Sequence, residues 1–277
     1  MEGPGINKCH PRMSADCPGA FELLLKNENS ILECFVKKND FVFISCLAVA
    51  VAPFLLFEDV MAMYVEALHS HKIAMSFIQF ALLATLGEAI ALRLTQGVYN
   101  RSGFGLLPRA LVWGCLGVVI KTAFTIFAVG APEFVGHYVY TLPEKVMAGP
   151  FSTSKLVAAF SISVTMNLMF APVFMTFHKI TDMHILRTGG TLKGFLRPID
   201  FARILKDIDW SIMWGFVFKK TLPLFWIPAH TVTFLLPPSF QILFAALLGI
   251  VLGILLGVAG RKKSPQEIEA CACAPSR

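Results

Sequence analysis

Apolar blocks of about twenty residues alternate with short polar links along this chain. A helix of that length crosses a hydrocarbon layer of about 30 Å. Six blocks are predicted as spanning helices, at residues 41–62, 73–92, 106–131, 156–177, 221–236 and 239–259. The fifth is short and contains Pro223 and Pro228; extended backwards through Trp210, Trp214 and Phe218 it takes in Lys219 and Lys220. Residues 207–218 are therefore expected to form an interfacial, Trp-bearing helix that leads into a short, kinked span. Proline cannot continue a helix interior and constrains the residue before it, so Leu236-Pro237-Pro238-Ser239 reads as a tight turn between the last two spans. The expected fold is an all-α membrane bundle over residues 41–259, with a polar segment before it (1–40) and a flexible, basic, cysteine-containing tail after it (260–277).

Composition agrees with that pattern. Of 277 residues, 56% are apolar and 15% charged, against about 25% charged in soluble domains. This excludes an ordinary soluble globule, a disordered chain and a small disulfide scaffold. The net charge is +6, and its placement matters more than its size. With six spans, eighteen Lys and Arg fall on the side of the termini and three (Lys72, Lys145, Lys155) on the other. Cytoplasmic loops carry the basic excess, so both termini are expected inside, in a prokaryotic plasma membrane or an organellar equivalent. The basic inner stretch 178–206, with Gly189-Gly190, is expected to lie on the headgroups. Seven cysteines match no secreted framework.

Ionisable residues within a membrane are costly and usually face protein or water. Glu88 and Lys121 are the two strongest cases. At about 1.5 Å per residue, Glu88 sits ~6 Å from the inner end of its span and Lys121 ~22 Å from the inner end of the next, so a direct bridge between them is not expected. Lys121 lies nearer in depth to Asn167 and His230, and the three are expected to form a polar constriction that favours anions. The alternative is that Lys121 snorkels outward while Asn167 and His230 make ordinary interhelical hydrogen bonds. Ala245, Gly249, Gly253 and Gly257, four residues apart, form a small-residue ridge suited to close packing within the bundle or between two copies.

Other candidates are weak. Cys9, His10, Cys17, Cys271 and Cys273 could hold zinc only if the termini met, and their spacing fits no usual site. Glu58, Asp59, Glu66, His69 and His71 are read as a solvated outer loop before a cation site. The sequence has no Gly-rich phosphate loop, His-Glu-x-x-His helix or Gly-x-Ser-x-Gly elbow. No enzyme activity, cofactor, metal or nucleic-acid partner is expected. The expected partners are lipids, small hydrophilic solutes and a second copy of the chain.

The segment from Trp226 to Pro237 resembles the C-terminal signature of the Mpv-seventeen and peroxisomal-membrane-protein family, which runs Trp-Pro, Gln, Asn-Phe, Val-Pro and Arg. Trp226 and Pro228 match with one residue inserted, His230 stands near the Gln, Thr233-Phe234 replaces Asn-Phe, and Pro237 fits the second proline. Gln241 falls where the Arg is expected. Gly87-Glu88 is similar to the family's Gly-Asp, and Glu144 with Pro150 to its Asp-Gln…Pro, whereas a Gly-Pro…Trp-Tyr element has only Ala171-Pro172 through His178 as a counterpart. The resemblance covers about residues 72–259. It implies a small, pore-like membrane protein, able to form oligomers, that passes small solutes. A channel or carrier is the expected function, with a non-transporting scaffold or assembly factor as the alternative.

Overall fold

The computed structural model describes residues 37–261. The terminal cysteines and His10 lie outside them. Among the described residues every regular element is helical. Four helices are long and apolar enough to cross a membrane, and five if one bent pair counts as a single span. The chain divides into two compact units at Tyr64/Val65.

The first unit holds α1 (Lys38–Leu56) and the start of α2 (Glu58–Ser70). The Asp40 carboxylate accepts the Lys37 backbone N–H at 2.7 Å and closes the first turn of α1. The predicted first span, 41–62, is interrupted: Phe57 is extended, and α2 begins immediately after it with Glu58 and Asp59, acids that suit a helix N-terminus. The acids and histidines expected in an outer loop therefore stand on or beside a helix. α1 buries none of its residues, and Phe41, Val49 and Leu55 are exposed.

The second unit continues with α3 (Lys72–Gln96), α4 (Leu106–Tyr138), α5 (Thr153–Met169), α6 (Ala171–Arg187), two short helices α7 (Leu192–Phe195) and α8 (Phe201–Asp207), and α9 (Trp210–Ile212). The π-helix Met213–Trp226, α10 (Ile227–Leu235) and α11 (Pro238–Arg261) complete it. α3 packs on α4 on one side and on α11 on the other, and α5 packs on α10 and α4. Phe80, Ala84, Phe124, Ile162, Met166 and Phe234 form the core between them.

Small residues set how closely these helices approach. A Cβ on Gly117 of α4 would lie 2.6 Å from both the Ser76 carbonyl oxygen and the Phe80 Cβ of α3. A Cβ on Gly253 of α11 would lie 3.0 Å from the Gly87 carbonyl oxygen. At the other end of the hairpin, Gly105 (φ 74°) and Gly190 (φ 67°) adopt left-handed backbone and touch: a Cβ on Gly105 would be 2.8 Å from the Gly190 Cα. That contact ties the chain entering α4 to the chain leaving α6.

Three expected boundaries move. The predicted fourth span, 156–177, is two helices, α5 and α6, bent by 48° at Phe170 just before Pro172. Pro occupies the first turn of α6, where a missing N–H costs nothing. α6 then runs on to Arg187, so the first third of the expected inner loop is helical. The fifth segment begins at Trp210. Asp209 caps it, its Oδ1 accepting from the Ser211 hydroxyl at 2.6 Å and from the Ser211 and Ile212 N–H groups; these bonds, the hydroxyl's first, hold its carboxyl below the usual range. Helix then continues through Lys219 and Lys220 as a wide coil to Trp226 and as α10 to Leu235. Long π-helices are rare; here the Ile227 N–H reaches back five residues to the Leu222 carbonyl, and Pro223 offers no N–H. Leu236 is extended before Pro237, and α11 opens at Pro238.

Candidate functional site

Glu88 lies near the C-terminal third of α3, partly buried against α4 and α6. Arg109 stands in the first turn of α4 and is only 6% exposed. Its Nη1 donates to Glu88 Oε2, its Nη2 pairs with Asp182 Oδ1 of α6, and its Nε donates to the Phe104 carbonyl at 2.8 Å. The contact with Asp182 is an ion pair off the hydrogen-bond axis. Trp113, one turn after Arg109, donates its indole N–H to Glu88 Oε1 at 2.7 Å, and His178 Nε2, one turn before Asp182, lies 3.4 Å from the same oxygen. The Trp113 and His178 rings meet at 4.4 Å, tilted by 41°. An arginine fork matched to two carboxylates thus joins three helices. The Gly105–Gly190 contact sets the heights at which α4 and α6 present these side chains.

A second polar group sits deeper. Asn167 of α5 is fully buried. Its amide nitrogen donates to the Ser163 carbonyl at 2.9 Å and to His230 Nδ1 of α10 at 3.0 Å. The Ser163 carbonyl can only accept, so it fixes which way the amide points. An amide nitrogen can only donate, so His230 accepts at Nδ1 and a neutral ring carries its proton on Nε2. The Ser163 hydroxyl donates to the Ile227 carbonyl at 2.7 Å. Trp226 stacks on His230 at 5.0 Å, and Phe124 meets the His230 ring edge-on at 5.7 Å. Asn167 Oδ1 and the Trp226 indole nitrogen are buried without a hydrogen-bond partner.

Both groups border one cavity of about 330 Å³, within the range of small-molecule sites. Glu88 and His178 line one part and Asn167, Thr221, Trp226 and His230 another. Aromatic and aliphatic side chains, among them Phe80, Phe124, Met166 and Phe174, form most of the wall. Gly249 and Gly253 form part of the α11 side, and nothing lies within 4 Å of where a Gly249 Cβ would stand.

Asn167 and His230 make an interhelical hydrogen bond, the alternative given for them above, and Lys121 does not join them. Trp113, Ile120 and Phe124 are the α4 residues on the cavity. Lys121 is half-exposed to one side of that stripe, within electrostatic reach of Lys72 at the start of α3. Its neighbours Thr122 and Thr125 are exposed and satisfy their hydroxyls on carbonyls of their own helix, so their polarity marks no inner face. Glu88 does find a cation, and it is Arg109. Of the family-signature residues, Trp226 and Pro228 flank the change from wide to ordinary helix, Phe234 is buried against Phe124 at 4.8 Å, and Pro237 sits in the turn before α11. Ala245 is in the core and Gly253 meets α3. The side-chain face of Gly257 lies outside the described residues.

Arg109, Trp113, His178 and Asp182 were not anticipated. Arg109 reads as a loop charge from hydropathy alone, since the block begins only three residues before it. The available signal was the spacing: Arg109/Trp113 and His178/Asp182 are each four apart and share a helix face, and a buried Glu88 requires a cation at the height where the α3–α4 hairpin turns.

Among the described residues the protein is therefore all-α, with four helices long and apolar enough to cross a membrane. No family model, curated protein or solved structure matches it.

Proposed function

We propose that this protein is a six-pass membrane channel or carrier for small hydrophilic molecules, with the cavity as the place the solute occupies. The six passes are α1, α3, α4, the bent pair α5–α6, the continuous helix from Trp210 to Leu235, and α11. The basic excess puts both termini on the cytoplasmic side. The observation that carries this reading is the cavity itself, which runs between the Glu88–His178 and Asn167–His230 groups. The resemblance of Trp226–Pro237 to the Mpv-seventeen family points the same way.

The lining also refines the solute. Arg109 pairs with Glu88 and Asp182, and no lysine or arginine is among the residues that line the cavity. The anion preference expected of Lys121 is therefore not part of this proposal. The open valences at the deeper group are an amide oxygen and an indole N–H, which suit an uncharged molecule that both donates and accepts.

The test is uptake of small uncharged and charged solutes into liposomes by purified protein, comparing the parent with Gly249→Leu. The added side chain projects into free space on the cavity wall. Loss of flux with retained thermal stability is the expected result. Equal flux in both proteins would remove the cavity from the path, and no flux in either would leave a scaffolding role.

A further inference from the structure

A second cavity, of about 440 Å³, lies beside α6, α7 and α8, apart from the central one. Arg187, Arg197 and Arg203 line it, together with His184, Thr188, Pro198, Asp200 and Ile204. The charges are not equivalent. Arg187 donates to Asp207 and is held there. Asp200 accepts the Arg203 backbone N–H at 3.1 Å, which closes the first turn of α8. His184 is buried, with Nε2 against the Phe195 carbonyl at 3.0 Å, so that nitrogen is committed as a donor. Among the described residues no carboxylate forms an ion pair with Arg197 or Arg203. Two guanidinium groups are thus presented at one concave site with their forks free.

The surroundings say where this site stands. α8 buries Ile204 against Ile180 and Met213, but Phe201 and Leu205, one turn apart, are exposed, as is Leu196 just before Arg197. Trp210 and Trp214 follow, also exposed, with Lys219 Nζ 5.8 Å from the Trp214 ring centroid. Apolar side chains outward, arginines between them and tryptophans at the next turn are the pattern of a segment lying at a membrane–water interface. Water alone would disfavour this face, and hydrocarbon alone would disfavour the arginines.

We propose that the Arg197–Arg203 pocket binds the phosphate of an anionic glycerophospholipid headgroup in the leaflet beside α8. A guanidinium fork matches phosphate oxygens in pairs, and clustered Lys and Arg beside a membrane surface attract anionic headgroups. Phe201, Leu205 and Leu196 would contact the acyl region of the same leaflet, which is why the phosphate is assigned to a lipid and not to a free anion.

The experiment uses full-length protein, delipidated in mild detergent, with lipid retention read by native mass spectrometry. The probes are phosphatidylglycerol, phosphatidylcholine and inorganic phosphate. The parent should prefer phosphatidylglycerol to phosphatidylcholine by about tenfold or more, as two cationic side chains provide. R197Q/R203Q should lose that preference, while K193Q/K206Q, which removes the same charge from outside the pocket, should keep it. Equal loss in both double variants would mean diffuse surface charge and overturn the site. Full preference in R197Q/R203Q would do the same. Competition by inorganic phosphate as effective as that by phosphatidylglycerol would overturn the lipid assignment.

Discussion

At one end of the central cavity Arg109 divides its guanidinium between Glu88, Asp182 and the Phe104 carbonyl, and Trp113 completes the coordination of Glu88. At the other, Asn167 and His230 bond to each other while Asn167 Oδ1 and the Trp226 indole N–H stay unpaired. The contrast follows from charge. A buried carboxylate left without its cation is penalised by several kcal/mol, so Glu88 and Asp182 are both held against the Arg109 guanidinium. A neutral amide or indole left unpaired costs about 1–3 kcal/mol, which a fold can tolerate at a place where something else binds. The first cluster therefore holds α3, α4 and α6 together, and the second is the one with chemistry to spare.

The largest effect should come from breaking the paired cluster. Arg109→Met leaves two carboxylates facing each other without a cation and should destabilise the protein by about 3–5 kcal/mol. Thermal unfolding in detergent would show it, together with a fall in folded yield. Glu88→Gln and Asp182→Asn added to Arg109→Met remove the uncompensated charges and should recover much of the loss. A single Arg109→Met variant as stable as the parent would mean that the fork is not structural.

Next in size is the packing that brings the cluster together. Gly117→Ala would place a methyl group against the Ser76 carbonyl and Phe80, and α4 would have to move away from α3. Overpacking of this kind costs about 1–3 kcal/mol. Gly253→Ala meets a single backbone oxygen at 3.0 Å and should cost less. A reversed order in measured melting temperatures would show that the α3–α11 contact, and not α3–α4, is the tight one.

The unpaired cluster should respond weakly. Asn167→Leu removes one interhelical bond to His230 and an orphaned carbonyl together. Interhelical side-chain hydrogen bonds in membranes average about 0.6 kcal/mol, so stability should change by less than ~1 kcal/mol while solute flux falls. A loss as large as that of Arg109→Met would make the two clusters alike and withdraw the distinction.

Hydropathy and small-residue spacing made the helices legible, because both are local properties: a twenty-residue apolar block and a four-residue repeat need no knowledge of neighbours. The same is true of the turn at Pro237-Pro238. The depth estimate brought Asn167 and His230 together because both lie well inside their blocks. It failed for Lys121 because depth along a helix says nothing of which way round the side chain faces. It also missed Arg109, since a hydropathy boundary assigns a charge near a helix end to water even when the next helix covers it. The break at Phe170 was signalled by Pro172, but the wide helix from Met213 to Trp226 was not. Its hydrogen bonds reach five residues back, and neither Gly215 nor Pro223 by itself indicates that.

The smallest expected effect is at Gly249, and its sign is informative. Gly249 shares the α11 ridge with Gly253 and lines the cavity, but a Cβ there would meet nothing within 4 Å. In a helix interior alanine is favoured over glycine by about 1 kcal/mol or less. Gly249→Ala should therefore leave thermal stability unchanged or raise it slightly, in contrast to Gly253→Ala one turn along the same ridge. The pair is best measured together in one detergent, because the difference between them cancels any general effect of the substitution on α11. A clear drop at Gly249 would mean that the wall closes there and that the cavity beside the Asn167–His230 group is narrower than its lining describes. An unchanged or higher melting temperature, combined with reduced flux, would show that a single methyl group on that wall obstructs what the unpaired cluster is there to meet.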